Sequence, residues 1–482
     1  MPTFHPESLA RWTGGHWTAV PAADLTGFAI DTRQLRAGEV FVALRTDKRD
    51  GHDFLAAAQT AGASAALVAQ AVPGTGLPQL VVADPQRALQ IIAREHRRDF
   101  PGKVIGITGS AGKTSTKNLL ALLLGPATLA TEANLNNTLG VPLTLTRIDP
   151  GYHHAAVIEA GISEPGEMAT LAELIEPDVA LVTLVSHAHT QQLEGLTGVA
   201  NEKAMLPAAT RAHGVAVFPR AVAEFPAFRS LNVRKIVVER ADVLRPAEPP
   251  LDVVYFTITH RAHQTVIALT YGTPPPLHFT LTRVTDGMAQ NAVLALCVAL
   301  WIGTDRAELQ TRLSRWAPAP LRGEVRREAG RLWYLDCYNA NPASMVDALA
   351  AFGEIAPADL PRVYVLGGME ELGAEAARLH REVGQALRLR PDDHVYVLGA
   401  ESGSLRSGAL AAGAAPGQIE IVTSLEPVRT RLETFQGAVF VKGSRQHRLE
   451  TVVPQAASPG NNPASAGFGE QPPPAARPAG RS

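Results

Sequence analysis

The chain has 482 residues, 46% of them hydrophobic and 19% charged, with a formal net charge of −2 and two cysteines, Cys297 and Cys337. The near balance of charge excludes a nucleic-acid binder working through a general basic surface, and two cysteines are too few for a disulfide framework and fit a reducing cytosol. No apolar run is long enough to span a bilayer and the first residues lack a signal-peptide pattern, so the chain is read as soluble and cytoplasmic.

Residues 1–98 hold short strand-like pieces, GEVFVAL, SAALVA and LPQLVVAD, around GHDFLAAAQTAGA, which reads as a helix. From Lys103 strands and helices alternate. Val104 to Leu124, VIGITGSAGKTSTKNLLALLL, is a β-branched run, a glycine-rich turn and an apolar helical run. Gly106, Gly112, Lys113 and Thr114 are read here as the fixed positions of a phosphate loop of the G-x-x-x-x-G-K-[ST] kind. Its backbone N–H groups close around phosphates at a helix N-terminus, the lysine reaches the terminal phosphates, and the threonine hydroxyl takes Mg²⁺. The plainer reading is a glycine turn. Motors, GTPases, kinases and ligases all use such a loop, so it does not by itself say what a triphosphate is spent on.

The next strand, AAVIEAG, ends on Glu159. The residues alone favour an acid solvated at the sheet edge; the alternative is a Mg²⁺ ligand facing the loop. PDVALVTLV runs into SHAHTQQLEG, which brings His187 and His189 to the same edge if the strands are neighbours. Lys203, in GVANEKAML, reads as a solvated helix lysine. VVYFTITH with HQTVIALTYG predicts an antiparallel hairpin, WAPAPLRGE a hinge, and a third alternating unit begins near Gly323. The last stretch is rich in Pro, Gly, Ala and Ser and predicts a disordered tail. The expected division is 1–98, 99–317, 318–455 and a tail at 456–482.

Taken in order, these segments resemble the Mur ligases, the ATP-dependent amide-forming enzymes of peptidoglycan synthesis. The resemblance spans nearly the whole chain apart from the tail. GSAGKTSTKN looks like that family's phosphate loop and NLNNTLGVPLTL, Asn134 to Leu145, like the segment that follows it. EAGISEPGEM carries the family glutamate, and AH with GVANEK the histidine and lysine. VLGGMEELG, with His380 downstream, and VKGSRQHRLE resemble the third domain, while DTRQLRAGEVFVAL and DGHDFLAAAQTAGA resemble the uridine-nucleotide domain. YLDCYNANPASM, Tyr334 to Met345, is the most specific marker. Within the family it points to the member that joins D-alanyl-D-alanine to UDP-N-acetylmuramoyl-tripeptide.

The resemblance implies an α/β fold of three domains: a small nucleotide-sugar domain, a central parallel-sheet ATPase domain and a C-terminal Rossmann-like domain. It implies that Gly109, Ser110, Ala111, Gly112, Lys113, Thr114 and Ser115 hold ATP, with Asn291 and, across the domain gap, Asp336, Asn339 and Asn341. Thr32 and Arg33, with Asn134, Asn136 and Asn137, are implied to meet the UDP-sugar. Lys113, Glu159, His189 and Lys203 are implied to be catalytic. Thr114, Glu159, His189 and Lys203, the last as a carbamate, are implied to serve two Mg²⁺ ions. No nucleic-acid or membrane partner is implied, and a monomer is expected.

The sequence departs from the family pattern at Gly367-Gly368-Met369, which lacks a carboxylate, and at Arg322-Gly323, where the order Gly-Arg is usual. A histidine usually found upstream of Asn291 is absent, and HTQQLEG differs from His-Leu-Glu-Gly-Phe. The alternatives are another ligase on the same scaffold (a diamino-acid-adding enzyme or a folate polyglutamate ligase), a P-loop motor or GTPase, and a non-catalytic relative. YNANPASM tells against the first, the lack of an N-K-x-D motif against the second.

Overall fold

The structure, a computed structural model, describes residues 1–188, 190–241, 252–271, 275–328 and 330–453. His189 and the segment from 456 onward, on which two of the sequence expectations fall, lie outside the described residues.

Three α/β units follow one another, each with its own sheet. The first sheet has five strands in the spatial order His16–Trp17, Gln79–Val81, Ala65–Val68, Glu39–Val42, Gly27–Ala29, parallel except for the first. The middle sheet has nine, in the order Leu277–Thr282, Gln264–Leu269, Asp252–His260, Arg234–Arg240, Val215–Pro219, Val179–Val182, Lys103–Thr108, Ala155–Glu159, Thr128–Ala130. The expected hairpin is its antiparallel edge. The third sheet has six: Glu324–Glu328, Arg331–Asp336, Ala438–Lys442, Arg362–Gly367, His394–Leu398, Ile419–Ile421.

The parallel strands of the middle sheet are covered on both faces, which is why they read as unbroken apolar runs. Side chains still alternate: Ile105, Ile107, Ala155 and Val157 join one core, while Val104, Ala156 and Ile158 join the other. The first core also takes Leu119, Leu120 and Leu123 of the helix Lys113–Leu124, packed against the helix Asp286–Ile302. That second helix is apolar nearly all round, as a helix enclosed by its neighbours must be. It starts at a Thr285 cap whose hydroxyl accepts from Met288 N at 3.0 Å, and it ends at Gly303.

Lys103–Thr108 is the earliest strand of the middle sheet yet lies inside it, between Val179–Val182 and Ala155–Glu159, paired in parallel with both. Reversal of strand order opens a crevice at the carboxyl ends of such strands. Everything that follows Thr108, Glu159 and Val182 is therefore delivered to one place.

The helix Pro85–Asp99 joins the first unit to the second. Asp84 caps its start, accepting from Gln86 N and Arg87 N. Near its end the fully buried Arg97 donates to Ile175 O at 2.9 Å, Glu176 O at 2.8 Å and Asp178 Oδ2 at 2.9 Å. His96 beside it reaches Ile148 O at 2.7 Å.

Candidate active site

The phosphate loop forms where strand Lys103–Thr108 gives way to helix Lys113–Leu124. Gly112 lies at φ +79 just before the helix, and a Cβ there would stand 2.3 Å from Asn291 Nδ2. Only glycine permits both the left-handed backbone and that approach. Gly109, at φ +151, faces Thr183 Oγ1, which a Cβ would meet at 1.9 Å. Gly106, read from the sequence as a loop position, belongs instead to the strand, where Leu206 and Ile175 pack against it. It stands one residue too far from Gly112 for the six-residue spacing. The loop is pinned from the neighbouring strand end: Ser110 N donates to Leu184 O at 2.8 Å, Ser110 Oγ to Ser186 O at 2.9 Å, and Thr183 Oγ1 to Ala111 O at 2.5 Å.

Glu159 is 2% exposed, not solvated at the sheet edge, because strands flank Ala155–Glu159 on both sides. Its Oε1 accepts from Thr114 Oγ1 at 3.1 Å and from Asn136 Nδ2 at 2.9 Å, while the buried Oε2 has no hydrogen-bond partner among the described residues. A buried carboxylate oxygen left unpaired is costly in an apolar setting. A hard cation that takes one carboxylate, a hydroxyl and substrate phosphates satisfies it, so the donors present fit Mg²⁺. Among the described residues no cluster of three or more His, Cys, Asp or Glu forms a cage of its own.

Lys113 Nζ donates to Gly109 O at 2.8 Å. Burial pushes its pKa below the usual lysine range, Glu159 opposing and the Arg322 charge adding to the shift. Lys203, on helix Gly195–Ala208, is 2% exposed, which overturns its reading as a solvated lysine: that turn of the helix faces the sheet. Burial first, and then the charge of Lys113, carry its pKa well below the ordinary value, with Glu202 opposing. The amine is thus disposed to be neutral.

The opposite wall comes from the third unit. Asp336 ends strand Arg331–Asp336, and Asn341 caps helix Pro342–Ile355, accepting from Ser344 N at 2.9 Å. The Asn341 side-chain amide also donates to the Ser110 carbonyl at 3.1 Å. Between these walls lies a cavity of about 640 Å³. It brings together Ser110 to Ser115, Asn134, Asn136, Asn137, Glu159, Asn291, Asp336, Asn339 and Asn341. Thr32 and Arg33 are not in its lining; Arg33 is exposed on the first unit and paired with Asp31 at 2.6 Å, which lowers the Asp31 carboxyl to about 2. His187 is also not in it.

Two contributors, Lys442 and Asp347, escaped the sequence reading, and a third, Arg322, entered it only as a departure from the family order. Lys442, at the end of strand Ala438–Lys442, is 1% exposed and bonds Asp336 Oδ2 at 2.6 Å. Arg322 stacks its guanidinium 3.8 Å from the Tyr338 ring centre at the cavity wall. Asp347 accepts from Gly287 N at 3.1 Å, tying the third unit to the start of helix Asp286–Ile302. The sequence signal for Lys442 was the segment VKGS at a strand end; Asp347 depends on a contact across the cleft, and Arg322 on the fold of the loop that carries Tyr338.

Comparison with known proteins bears on this arrangement directly. The family description of the Mur ligase middle domain matches residues 107–299, and that of the Mur ligase glutamate ligase domain residues 321–445. UDP-N-acetylmuramoyl-tripeptide–D-alanyl-D-alanine ligase of Escherichia coli is 32% identical over 447 residues, 89% of this chain and 94% of that one. The chain belongs to the Mur ligase family. Among solved Mur ligases, MurF from Acinetobacter baumannii superposes with a TM-score of 0.80 at 27% identity, covering 93% of this chain and 98% of that one. MurF ligase from Thermotoga maritima in complex with ADP gives a TM-score of 0.73 at 26% identity, covering 88% and 96%. Membership in the Mur ligase family removes the motor and GTPase alternatives.

Proposed function

We propose that this chain is an ATP-dependent amide ligase that joins D-alanyl-D-alanine to the terminal carboxylate of UDP-N-acetylmuramoyl-tripeptide, as a cytoplasmic monomer. The observation that carries the reading is one cavity with the phosphate loop and buried Glu159 on one side and the Asp336–Asn341 loop of another unit on the other. The match over 447 residues to the Escherichia coli UDP-N-acetylmuramoyl-tripeptide–D-alanyl-D-alanine ligase supports it. The domains are taken as 1–98, 99–317 and 318–455.

A carboxylate is a poor electrophile at neutral pH, so the triphosphate must activate it. One carboxylate oxygen of the tripeptide attacks the γ-phosphorus and ADP leaves, giving an acyl phosphate. The amine nitrogen of D-alanyl-D-alanine then attacks the carbonyl carbon, a tetrahedral intermediate forms, and inorganic phosphate departs as the amine loses its proton. The first step brings two anions together, so charge neutralisation and positioning are the main demands. Lys113 and the backbone N–H groups from Gly109 to Ser115 would hold the β- and γ-phosphates. Thr114 and Glu159, with His189, would hold Mg²⁺, which supplies positive charge beside the phosphates. Asn291, Asp336, Asn339 and Asn341 would hold the adenosine; Thr32, Arg33, Asn134, Asn136 and Asn137 would meet the UDP-sugar. Lys203, disposed to be neutral, would add CO₂ through its amine nitrogen, release a proton, and become a carbamate that orients the metal instead of repelling it. Closure of the third unit on the second, from the Asn341–Ser110 contact, would exclude water from an intermediate that would otherwise hydrolyse.

The test is phosphate release with Mg²⁺-ATP, UDP-N-acetylmuramoyl-tripeptide and D-alanyl-D-alanine, each omitted in turn, and the product weighed. Release that requires all three, with the pentapeptide formed, is expected. Turnover only with the dipeptide nucleotide and a diamino acid would move the enzyme to the neighbouring member of the family. For Lys203, a ¹³C carbamate resonance under labelled CO₂ that vanishes in Lys203→Met is expected; no resonance in the active enzyme would remove the carbamate.

A further inference from the structure

Lys442 is almost wholly enclosed, and its ammonium bonds to one short segment. Its ammonium donates to Asp336 Oδ2 at 2.6 Å, to Asp336 O at 3.4 Å and to Asn339 O at 3.4 Å. That segment leads directly into Asn341, whose amide closes on Ser110 of the phosphate loop. Strands Arg331–Asp336 and Ala438–Lys442 are parallel neighbours with Asp336 and Lys442 in register, so the pair is set by the sheet itself. Asp336 and Lys442 both face the cavity. A buried lysine is expensive unless paired, and here its partner is a group that the proposed function gives to the nucleotide.

We propose that Lys442 is a positioning residue for nucleotide binding, fixing the Asp336 carboxylate and the Asn339 carbonyl so that the Asp336–Asn341 loop presents its polar side chains to the bound nucleotide. The proposal rests on the reading of that loop as the nucleoside wall. The charged groups around Asp336 make the role electrostatic as well as steric. Burial raises the Asp336 pKa; Lys442 opposes this most, followed by Arg322 from the segment before strand Glu324–Glu328 and the Gly323 N–H. From its own strand, and from helix Pro342–Ile355, Asp336 faces Tyr334 and the carboxyl of Asp347, and neither supplies positive charge. Without Lys442 the carboxyl keeps its burial and loses its main counter-charge, so it takes up a proton at higher pH.

The experiment is titration of the full chain with Mg²⁺-ADP across pH for the native protein, Lys442→Met, Asp336→Asn and the double variant. Lys442→Met is expected to weaken ADP by about tenfold near neutral pH and to regain part of that loss as pH rises, over a range in which the native protein's affinity changes less. A Lys442→Met affinity equal to the native one, or a loss with no pH dependence, overturns the proposal. Because removing one partner of a buried pair can unfold a protein, the double variant carries a second arm: in the Asp336→Asn background, which removes the stranded charge, Lys442→Met should change ADP affinity by less than about threefold. An undiminished loss there shows that Lys442 does not act through Asp336. If Asp336→Asn alone binds ADP as the native protein does, it is the reading of Asp336 as a nucleotide ligand that fails.

Discussion

The side-chain amide of Asn341 donates to the carbonyl of Ser110 across 231 positions of sequence, at 3.1 Å. One residue thus does two jobs: its Oδ1 caps helix Pro342–Ile355 and its Nδ2 holds the phosphate loop from outside. Asn341→Ala removes both. The lost cap costs about 1 kcal/mol, and ADP affinity falls with it; Asn341→Ser, which keeps a capping oxygen, restores the stability but not the affinity. Melting curves with and without ADP separate the two. If Asn341→Ser binds ADP as tightly as the native chain, the cross-cleft bond has no part in nucleotide binding.

Glu159→Gln keeps an oxygen to accept from Thr114 and Asn136 while removing the charge at the unpaired Oε2. The fold should hold, and phosphate release should drop by about 100-fold or more with a higher Mg²⁺ requirement. A variant with native turnover and native Mg²⁺ dependence would rule Glu159 out as a metal ligand.

His96 sets an acid limit on stability. Burial lowers its pKa below the ordinary histidine range, opposed by its bond to Ile148 O and by Asp99 and Asp149. Its folded form is therefore neutral where the unfolded form is already taking up protons, so stability falls as pH drops through about 6.5 and continues to fall until the folded pKa is reached. His96→Gln does not titrate, and the acid-side decline in its melting temperature should be shallower. Parallel declines in the two proteins would place the acid sensitivity elsewhere.

Tyr334 buries a hydroxyl that has no hydrogen-bond partner among the described residues, next to Phe440 stacked at 5.4 Å. Tyr334→Phe removes the polar atom and leaves the packing, so it should stabilise the chain by about 1 kcal/mol. A lower melting temperature would mean that the hydroxyl has a partner in solution.

Much of this was legible beforehand. Apolar runs ending in glycine or polar residues gave the strands, and SAGKTS before an apolar helix marked the phosphate loop. Burial was not legible at Glu159 and Lys203, because charge on a residue says nothing about which strands and helices will enclose it. A lysine between polar neighbours reads as solvated until the helix is docked on its sheet. Lys442 was missed, and Arg322 was seen only as a reversed Gly-Arg pair, for a related reason: their partners, Asp336 and Tyr338, are met only when distant strands pair and a loop folds back. Local pattern reports what a segment becomes, not what it will touch.

Since the cavity borrows its second wall from residues beyond Asp336, a ribosome that has finished the phosphate loop has not yet made a nucleotide site. Some two hundred further residues must emerge before Asn341 can reach Ser110. The half-synthesised chain therefore has a loop shaped for phosphates but no enclosure in which to spend them.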